Sequence, residues 1–393
     1  MRNAAVLNKA RLFLILLPMK FFISCGEVSG DIHAAGLVRE LKKLMPDARF
    51  TGIGGENLRK EGVEVFLDIK EMGVIGFIEA IKSLPKTLKH LKLAEEKARE
   101  SDCCIFVDYP GFNLQLGKRT HRMGKKNIYY ILPQIWAWGE SRVKTLRENF
   151  DLLISIIPFE EEYFKKHGVT VHYVGSPVLD KVLQEAEHLP KIEIPENKKV
   201  IGILPGSRRS EVDRLLPHIR SIIEIMNKKR NDLFFVLSRR IPYNLDGPTN
   251  VLLYDGHPYS LMKTADVLLV TSGTATLETA IFEKPMVVFY KTSVGTYLAG
   301  KLVAKVKHLS LVNLIAGEEV VPEFVQKIDN HEIADRLLAY LDNPEFYRET
   351  VLKLREVKNK LKPNAASKAA KIIFEEVVKD GHAGTYKKPS STN

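Results

Sequence analysis

The stretch Ile203–Glu211, ILPGSRRSE, sets two arginines directly after a glycine turn, where a helix is about to start. The run 199–204 before it reads as a buried strand, and Val212, Leu215, Leu216, Ile219, Ile222 and Ile223 after it recur at helical spacing. A helix N-terminus carries positive partial charge, so arginines there are mildly unfavourable unless an anion joins them. Gly206, Ser207, Arg208 and the free amides through Glu211 therefore read as a seat for a diphosphate, with Ser210 as N-cap. An exposed arginine pair is the plainer alternative. A second strand–loop–helix passage, VTSGTATLE from Val270 to Glu278, offers the hydroxyls and amides of Ser272, Gly273 and Thr274 to phosphate. Glu278, one turn into that helix, suits ribose hydroxyls, though a simple Ser/Thr capping loop fits the same letters.

A different chemistry stands in VDYPGFN, residues 107–113, where an apolar run ends on Asp108. An acid at a strand end is well placed to be a general base; it could equally cap the turn before Pro110. Asn113 could cap the following helix or bind a hydroxyl. Three further loops share the strand-end pattern. GEVSGD (26–31) opens a helix with Asp31 as the expected N-cap and departs from the dinucleotide fingerprint. GIGG (52–55) allows close backbone approach. PQIWAWG (133–139) holds both tryptophans of the chain, suited to sugar or acyl contact and equally to a core.

The elements that must position these loops alternate. Strands are expected at 20–25, 49–53, 63–67, 103–107, 127–131, 151–155 and 171–174. A second series follows at 199–204, 233–237, 251–253, 266–270 and 286–289. Helices are expected at 31–45, 85–99, 211–229, 274–282 and 363–379. A βαβ alternation occurring twice implies two doubly wound α/β domains with parallel sheets, whose ligands bind beyond the carboxyl ends of the strands. The polar stretch 184–198, with Pro190 and Pro195, reads as the linker, and the tail from Asp380 as disordered. The first eighteen residues carry Arg2, Lys9 and Arg11 ahead of a run from Leu12 to Leu17 that resembles a short secretory signal. Cleavage at Cys25 would delete the first strand, so Met19 is the expected start and 1–18 an extension.

The net charge of +11 and pI ≈ 9.3 favour anionic partners. Long basic runs with interleaved aromatics are missing, which argues against nucleic acid. Cys25, Cys103 and Cys104, an odd count with an adjacent apolar pair, imply reduced thiols in the cytosol. No CxxC or HExxH pattern points to zinc. Two stretches mix apolar and basic residues: 72–92 (Met72, Val74, Ile75, Phe77, Ile78, Ile81, Leu84, then Lys82, Lys86, Lys89, Lys92) and 297–307. Both suit insertion into an anionic bilayer interface, or inward packing with solvated lysines.

Taken in order, the motifs GEVSGD, GIGG, MGVIGFIEA, DYPGFN, PQIWAWG, PFE (158–160), YVGSP (173–177), LPGSR, TSGTATLE and LVNLIAGEEVVPEF resemble those of the lipid-A-disaccharide synthases. These are glycosyltransferases of the two-Rossmann (GT-B) type, with two domains facing a cleft. The likeness runs from Met19 to about Asn343. Two positions depart from the pattern. Ser176 stands where histidine is expected, and Gly111 where some members carry an acid, so neither is given a catalytic role. The resemblance implies an N-terminal acceptor and lipid domain at 19–183, a UDP-sugar domain at 199–343, and helices at 344–379 crossing back to the N-terminal domain. It implies an inverting transfer of 2,3-diacylglucosamine from UDP-2,3-diacylglucosamine to the 6-hydroxyl of 2,3-diacylglucosamine 1-phosphate. In that reaction Asp108 is the base. Arg208 with the helix amides and the 272–274 loop clamp the leaving diphosphate, and Glu278 holds the ribose. Asn313 contacts donor or acceptor, and Glu27 and Ser29 join the substrate-binding positions. No required metal is expected, since no DxD-type motif lies at a strand end. The implied setting is cytoplasmic, peripheral on the inner membrane; the resemblance allows a homodimer. Three other functions fit the same architecture: a UDP-N-acetylglucosamine 2-epimerase, the transferase that makes the peptidoglycan lipid precursor, and a non-catalytic glycolipid-binding protein.

Overall fold

The computed structural model describes residues 18–72, 84–138, 141–245, 247–293 and 307–383. The chain divides into two compact units, 1–177 with 364–393, and 178–363. The first holds seven strands: β1 Lys20–Ser24, β2 Arg49–Gly54, β3 Glu64–Asp68, β4 Cys103–Val107, β5 Lys126–Tyr130, β6 Leu152–Ser155 and β7 His172–Tyr173. The second holds six: β8 Lys199–Leu204, β9 Leu233–Ser238, β10 Val251–Tyr254, β11 Val267–Thr271, β12 Met286–Tyr290 and β13 Glu323–Val325. Eleven helices bear on the site and its frame. They are α1 Val28–Leu44, α2 Pro110–Arg122, α3 Glu160–Lys166, α4 Pro177–Glu185, α5 Arg209–Lys229, α6 Pro258–Thr264, α7 Thr274–Ile281, α8 Leu311–Ala316, α9 Asn330–Asp342, α10 Pro344–Lys360 and α11 Ala365–Ala383.

The sheet orders are β3-β2-β1-β4-β5-β6-β7 and β10-β9-β8-β11-β12-β13, and every paired strand is parallel. A parallel sheet needs both faces covered, which explains the near-continuous apolar strands. In β1, Phe21 and Ile23 pack with Leu37 and Val38 of α1 and with Ala369 and Ile373 of α11. Phe22 points the other way, among Cys104, Phe106, Phe112 and Leu116. The adjacent Cys103 and Cys104 likewise split between the two faces, and all three cysteines are buried and free. In the second unit the apolar stripe of α5 (Val212, Leu215, Ile219, Ile222, Ile223, Met226) packs with Ile201, Ile203, Phe235 and Val287.

Each sheet reverses its strand order once, between β1 and β4 in the first unit and between β8 and β11 in the second. Loops leaving strands at such a reversal diverge to opposite faces and open a crevice where ligands bind. The loops after β1 and β4 are GEVSGD and DYPGFN; those after β8 and β11 are PGSRR and SGTAT.

The observed divisions differ from two expectations. The unit boundary falls at Pro177 and Val178, ahead of the polar stretch 184–198. The cause is α4, whose Lys181 sits over the Tyr259 ring and whose Glu185 lies 3.2 Å from His257, both in the second unit. Helix α10 was expected among the returning helices but belongs to the second unit. Arg355 and Lys358 there bind Glu283 at 2.9 and 2.8 Å, and Lys360 caps the carbonyl end of α8. Of the helices after residue 343, α11 is the one that packs against α1 of the first unit. Strand β13, three half-buried residues pairing with β12, has no counterpart among the expected strands. Residues 1–17, most of the 72–92 and 297–307 patches, and the tail from 384 lie outside the described residues.

Candidate active site

Asp108 ends β4 at the first reversal. It and Tyr109 both hold left-handed backbone, φ 50° and 51°, a region costing roughly 1–3 kcal/mol per non-glycine residue. The surroundings enforce that conformation. The Asp108 amide donates to the Tyr130 carbonyl at 3.2 Å. Its carbonyl accepts from Asn113 Nδ2 at 2.7 Å and from the Tyr129 hydroxyl at 2.8 Å. Burial pushes the Asp108 carboxyl above the usual carboxylate range, against the lowering hydrogen bond of the Tyr109 amide, and the Glu27 carboxylate adds to the rise. A carboxylate so raised, and still half-exposed, has the properties of a general base.

Asn113 does not cap the helix, whose N-cap is Tyr109. It is fully buried, accepts from the Ser24 hydroxyl at 2.7 Å, and donates to the Ser24, Val107 and Asp108 carbonyls. It thereby fastens the end of β1 to the end of β4. Asp31 is not an N-cap either: α1 starts three residues earlier, with the extended Glu27 at the N-cap. The Asp31 carboxylate turns inward and accepts from the Gly55 and Asn57 amides at 2.6 and 2.9 Å. Gly55 answers to that contact, since a Cβ there would meet Asp31 Oδ2 at 2.8 Å, whereas a Cβ on Gly52 would meet the Ile23 carbonyl oxygen at 1.8 Å. Gly26 has a similar reason: a Cβ there would stand 2.1 Å from the Tyr109 ring. Glu27 and Ser29 are exposed at the mouth of the same loop. At Gly111 an added Cβ would meet nothing within 4 Å, and Ser176 is buried.

Trp136 is a core residue: it is buried and donates from Nε1 to Glu160 Oε1 at 2.9 Å. The Trp138 side chain lies outside the described residues. Glu160, at the start of α3, also accepts from the Ser155 hydroxyl. Complete burial pushes its carboxyl up to about 7 in spite of the Ser155 and Trp136 hydrogen bonds, which lower it. Glu160 figured in the sequence only as part of PFE; the distant Trp136 that bonds it leaves no local trace.

At the second reversal the chemistry changes. Gly206 takes φ 112°, and a Cβ there would approach Glu211 Oε2 to 2.8 Å. Ser207 through Ser210 are exposed, and Arg208 is the extended N-cap of α5, which corrects Ser210 to a residue inside the helix. The Glu211 and Val212 amides bond the Arg208 carbonyl, so the amides ahead of them have no intrahelical acceptor. The Arg208 guanidinium is 74% exposed and pairs with Glu211 at 3.0 Å. Such a pair is worth little in water and yields readily to a phosphate. Gly273, φ 149°, is the N-cap of α7, with Ser272 half-buried and Thr274 exposed beside it. Glu278 is half-buried and its Oε1 accepts the Tyr259 hydroxyl at 2.8 Å.

Asn313 starts from an internal position on α8. It is fully buried; Nδ2 donates to the Val321 carbonyl and Glu323 Oε1 at 2.8 and 2.7 Å, and Oδ1 accepts the Val320 and Val321 amides. Its side chain braces α8 to β13. Glu323 is the hub of that brace, accepting also from the Leu309 and Ser310 amides and the Ser310 hydroxyl. Among the described residues, no group of three His, Cys, Asp or Glu is placed to hold a metal ion, and no helix is long and apolar enough to cross a membrane.

Comparison with known proteins adds to this picture. A family model described as lipid-A-disaccharide synthetase matches residues 21–377. A lipid-A-disaccharide synthase from Persephonella marina is 40% identical over 378 residues, 91% of this chain and 99% of that protein. Among solved structures, a UDP-GlcNAc 2-epimerase from Neisseria meningitidis aligns with TM-score 0.57 at 15% identity, covering 92% of this chain and 100% of that one. MurG of Acinetobacter baumannii aligns with TM-score 0.55 at 13% identity, covering 91% and 100%. At such identities the structural likeness speaks for the fold alone.

Proposed function

Because this chain belongs to the lipid-A-disaccharide synthase family, a family of glycosyltransferases, we propose the following division of labour for its residues. The donor is UDP-2,3-diacylglucosamine and the acceptor 2,3-diacylglucosamine 1-phosphate. Asp108 takes the proton of the acceptor 6-hydroxyl as that oxygen forms its bond to the anomeric carbon. The bond from that carbon to the diphosphate breaks on the opposite face, its electron pair leaves with UDP, and the centre inverts. The departing charge falls to Arg208, the amides from Ser207 onward, and the Ser272–Thr274 loop, with no metal required. Glu278 holds the ribose, and the exposed Glu27 and Ser29 border the substrate near Asp108. The product is the β-1,6-linked disaccharide 1-phosphate.

The observation that carries this reading is Asp108: a desolvated acid held at a strand reversal by bonds to its own backbone. For the membrane surface, the support is the helix Leu84–Ala98. There Lys86, Lys89 and Lys92 surround a Leu88 that is 50% exposed, as suits a peripheral protein on the cytoplasmic face of an anionic inner membrane. The test is to incubate the protein with both substrates and a chelator and to analyse the products by mass. A disaccharide 1-phosphate with stoichiometric UDP is expected. UDP-sugar consumption without a disaccharide, or strict metal dependence, contradicts the proposal.

A further inference from the structure

Glu278 does not stand alone. Tyr259, from α6, is fully buried and donates its hydroxyl to Glu278 Oε1 at 2.8 Å. The ring is held on several sides. His257 and Phe282 pack against it with centroids at 4.7 and 5.5 Å, and Lys181 Nζ sits 5.6 Å from its centre. His257 in turn accepts the Tyr259 amide on Nδ1 at 3.2 Å, so its proton sits on Nε2. That Nε2 lies 3.2 Å from Glu185 Oε2. Burial, then the Glu278 charge, pushes the Tyr259 phenol up, so it remains a donor throughout the working pH range.

A half-buried glutamate with nothing to hold it samples several rotamers, and ordering it on binding costs affinity. A phenol fixed by packing removes most of that freedom beforehand. It occupies one carboxylate oxygen and leaves the other as an acceptor. We propose that Tyr259 is a positioning residue that presents Glu278 to the ribose diol and so sets the preference for a ribonucleoside diphosphate over its deoxy counterpart. This rests on the reading that Glu278 holds the ribose.

The experiment titrates UDP and 2′,3′-dideoxy-UDP into the full chain and into three variants, with melting curves to verify folding. The wild-type protein is expected to prefer UDP by at least about ten-fold, the scale of a hydrogen bond to a charged group. Glu278→Ala should bring that ratio close to one. Tyr259→Phe should lose most of the ratio while binding dideoxy-UDP as the wild type does, and its kcat at saturating donor should hold. Phe282→Leu keeps both Tyr259 and Glu278 but removes a ring that holds the phenol, and should lower the ratio with dideoxy-UDP binding unchanged. If Glu278→Ala keeps the full preference, the ribose reading fails and the proposal with it. If Glu278→Ala loses it but Tyr259→Phe keeps it, or weakens both ligands alike, Tyr259 is merely structural and the ribose reading stands. Should Tyr259→Phe fail to fold, Phe282→Leu decides: a retained ratio overturns the positioning role, and a lowered one with unchanged dideoxy-UDP affinity supports it.

Discussion

The two strand reversals are built alike and do opposite things. At the first, β1 and β4 end in acids: Asp108 raised by burial, with Glu27 adding to the rise. At the second, β8 and β11 end in left-handed glycines, exposed hydroxyls, open helix amides and an exposed arginine. A parallel sheet thus supplies a place, and the residues after each strand decide which charge the place favours. The first withholds solvent from a carboxylate so that it seeks a proton. The second presents helix amides without intrahelical acceptors beside an exposed Arg208–Glu211 pair, the surroundings in which the proposed anion seat lies.

Removing the proposed base should break the contrast most severely. Asp108→Asn is expected to lower kcat by about a thousand-fold, within the range of general-base effects, as read by product formation at saturating substrates. Next is Glu160. Its folded-state carboxyl is raised from 4.5 to about 7, so the folded chain binds a proton that the unfolded chain has released. Stability from this group is fully present below about 4.5, falls as pH rises, and is lost above about 7, a span of about 3 kcal/mol. Glu160→Gln should remove that slope from a series of urea melts. Smaller is Gly206→Ala, which sets a Cβ 2.8 Å from Glu211 Oε2 at φ 112° and should lower stability by about 1–3 kcal/mol while loosening UDP. The mildest is Glu27→Gln. Without that neighbouring charge the Asp108 carboxyl falls toward its ordinary value, so the acid limb of the kcat/KM profile should move to lower pH.

The strands and the four loops at the reversals were legible because apolar runs ending in glycine, acid or hydroxyl residues are local patterns. Residues whose role depends on distant partners were not. Asn113 and Asn313 carry the same amide, which can cap, bind or brace, and the bracing bonds to Ser24 in one case and Glu323 in the other have no local signal. Asp31 looked like a cap because the loop that occupies its carboxylate starts more than twenty residues later. Tyr259 and Glu278 meet across 19 residues with no periodic signal between them. The unit boundary was misplaced for the same reason: polar composition marked 184–198, whereas contacts of Lys181 and Glu185 carry α4 into the second unit. Strand β13 offers three half-buried residues, too few for alternation to register.

The most direct measurement is a calorimetric titration of UDP into the wild-type protein, Asp108→Asn and Arg208→Ala side by side. The expected result is wild-type affinity for Asp108→Asn and a loss of about ten-fold or more for Arg208→Ala, a charge-assisted phosphate contact removed. Equal affinities for Arg208→Ala and wild type, or a UDP affinity that collapses with Asp108, would contradict the assignment of base and anion seat to separate reversals.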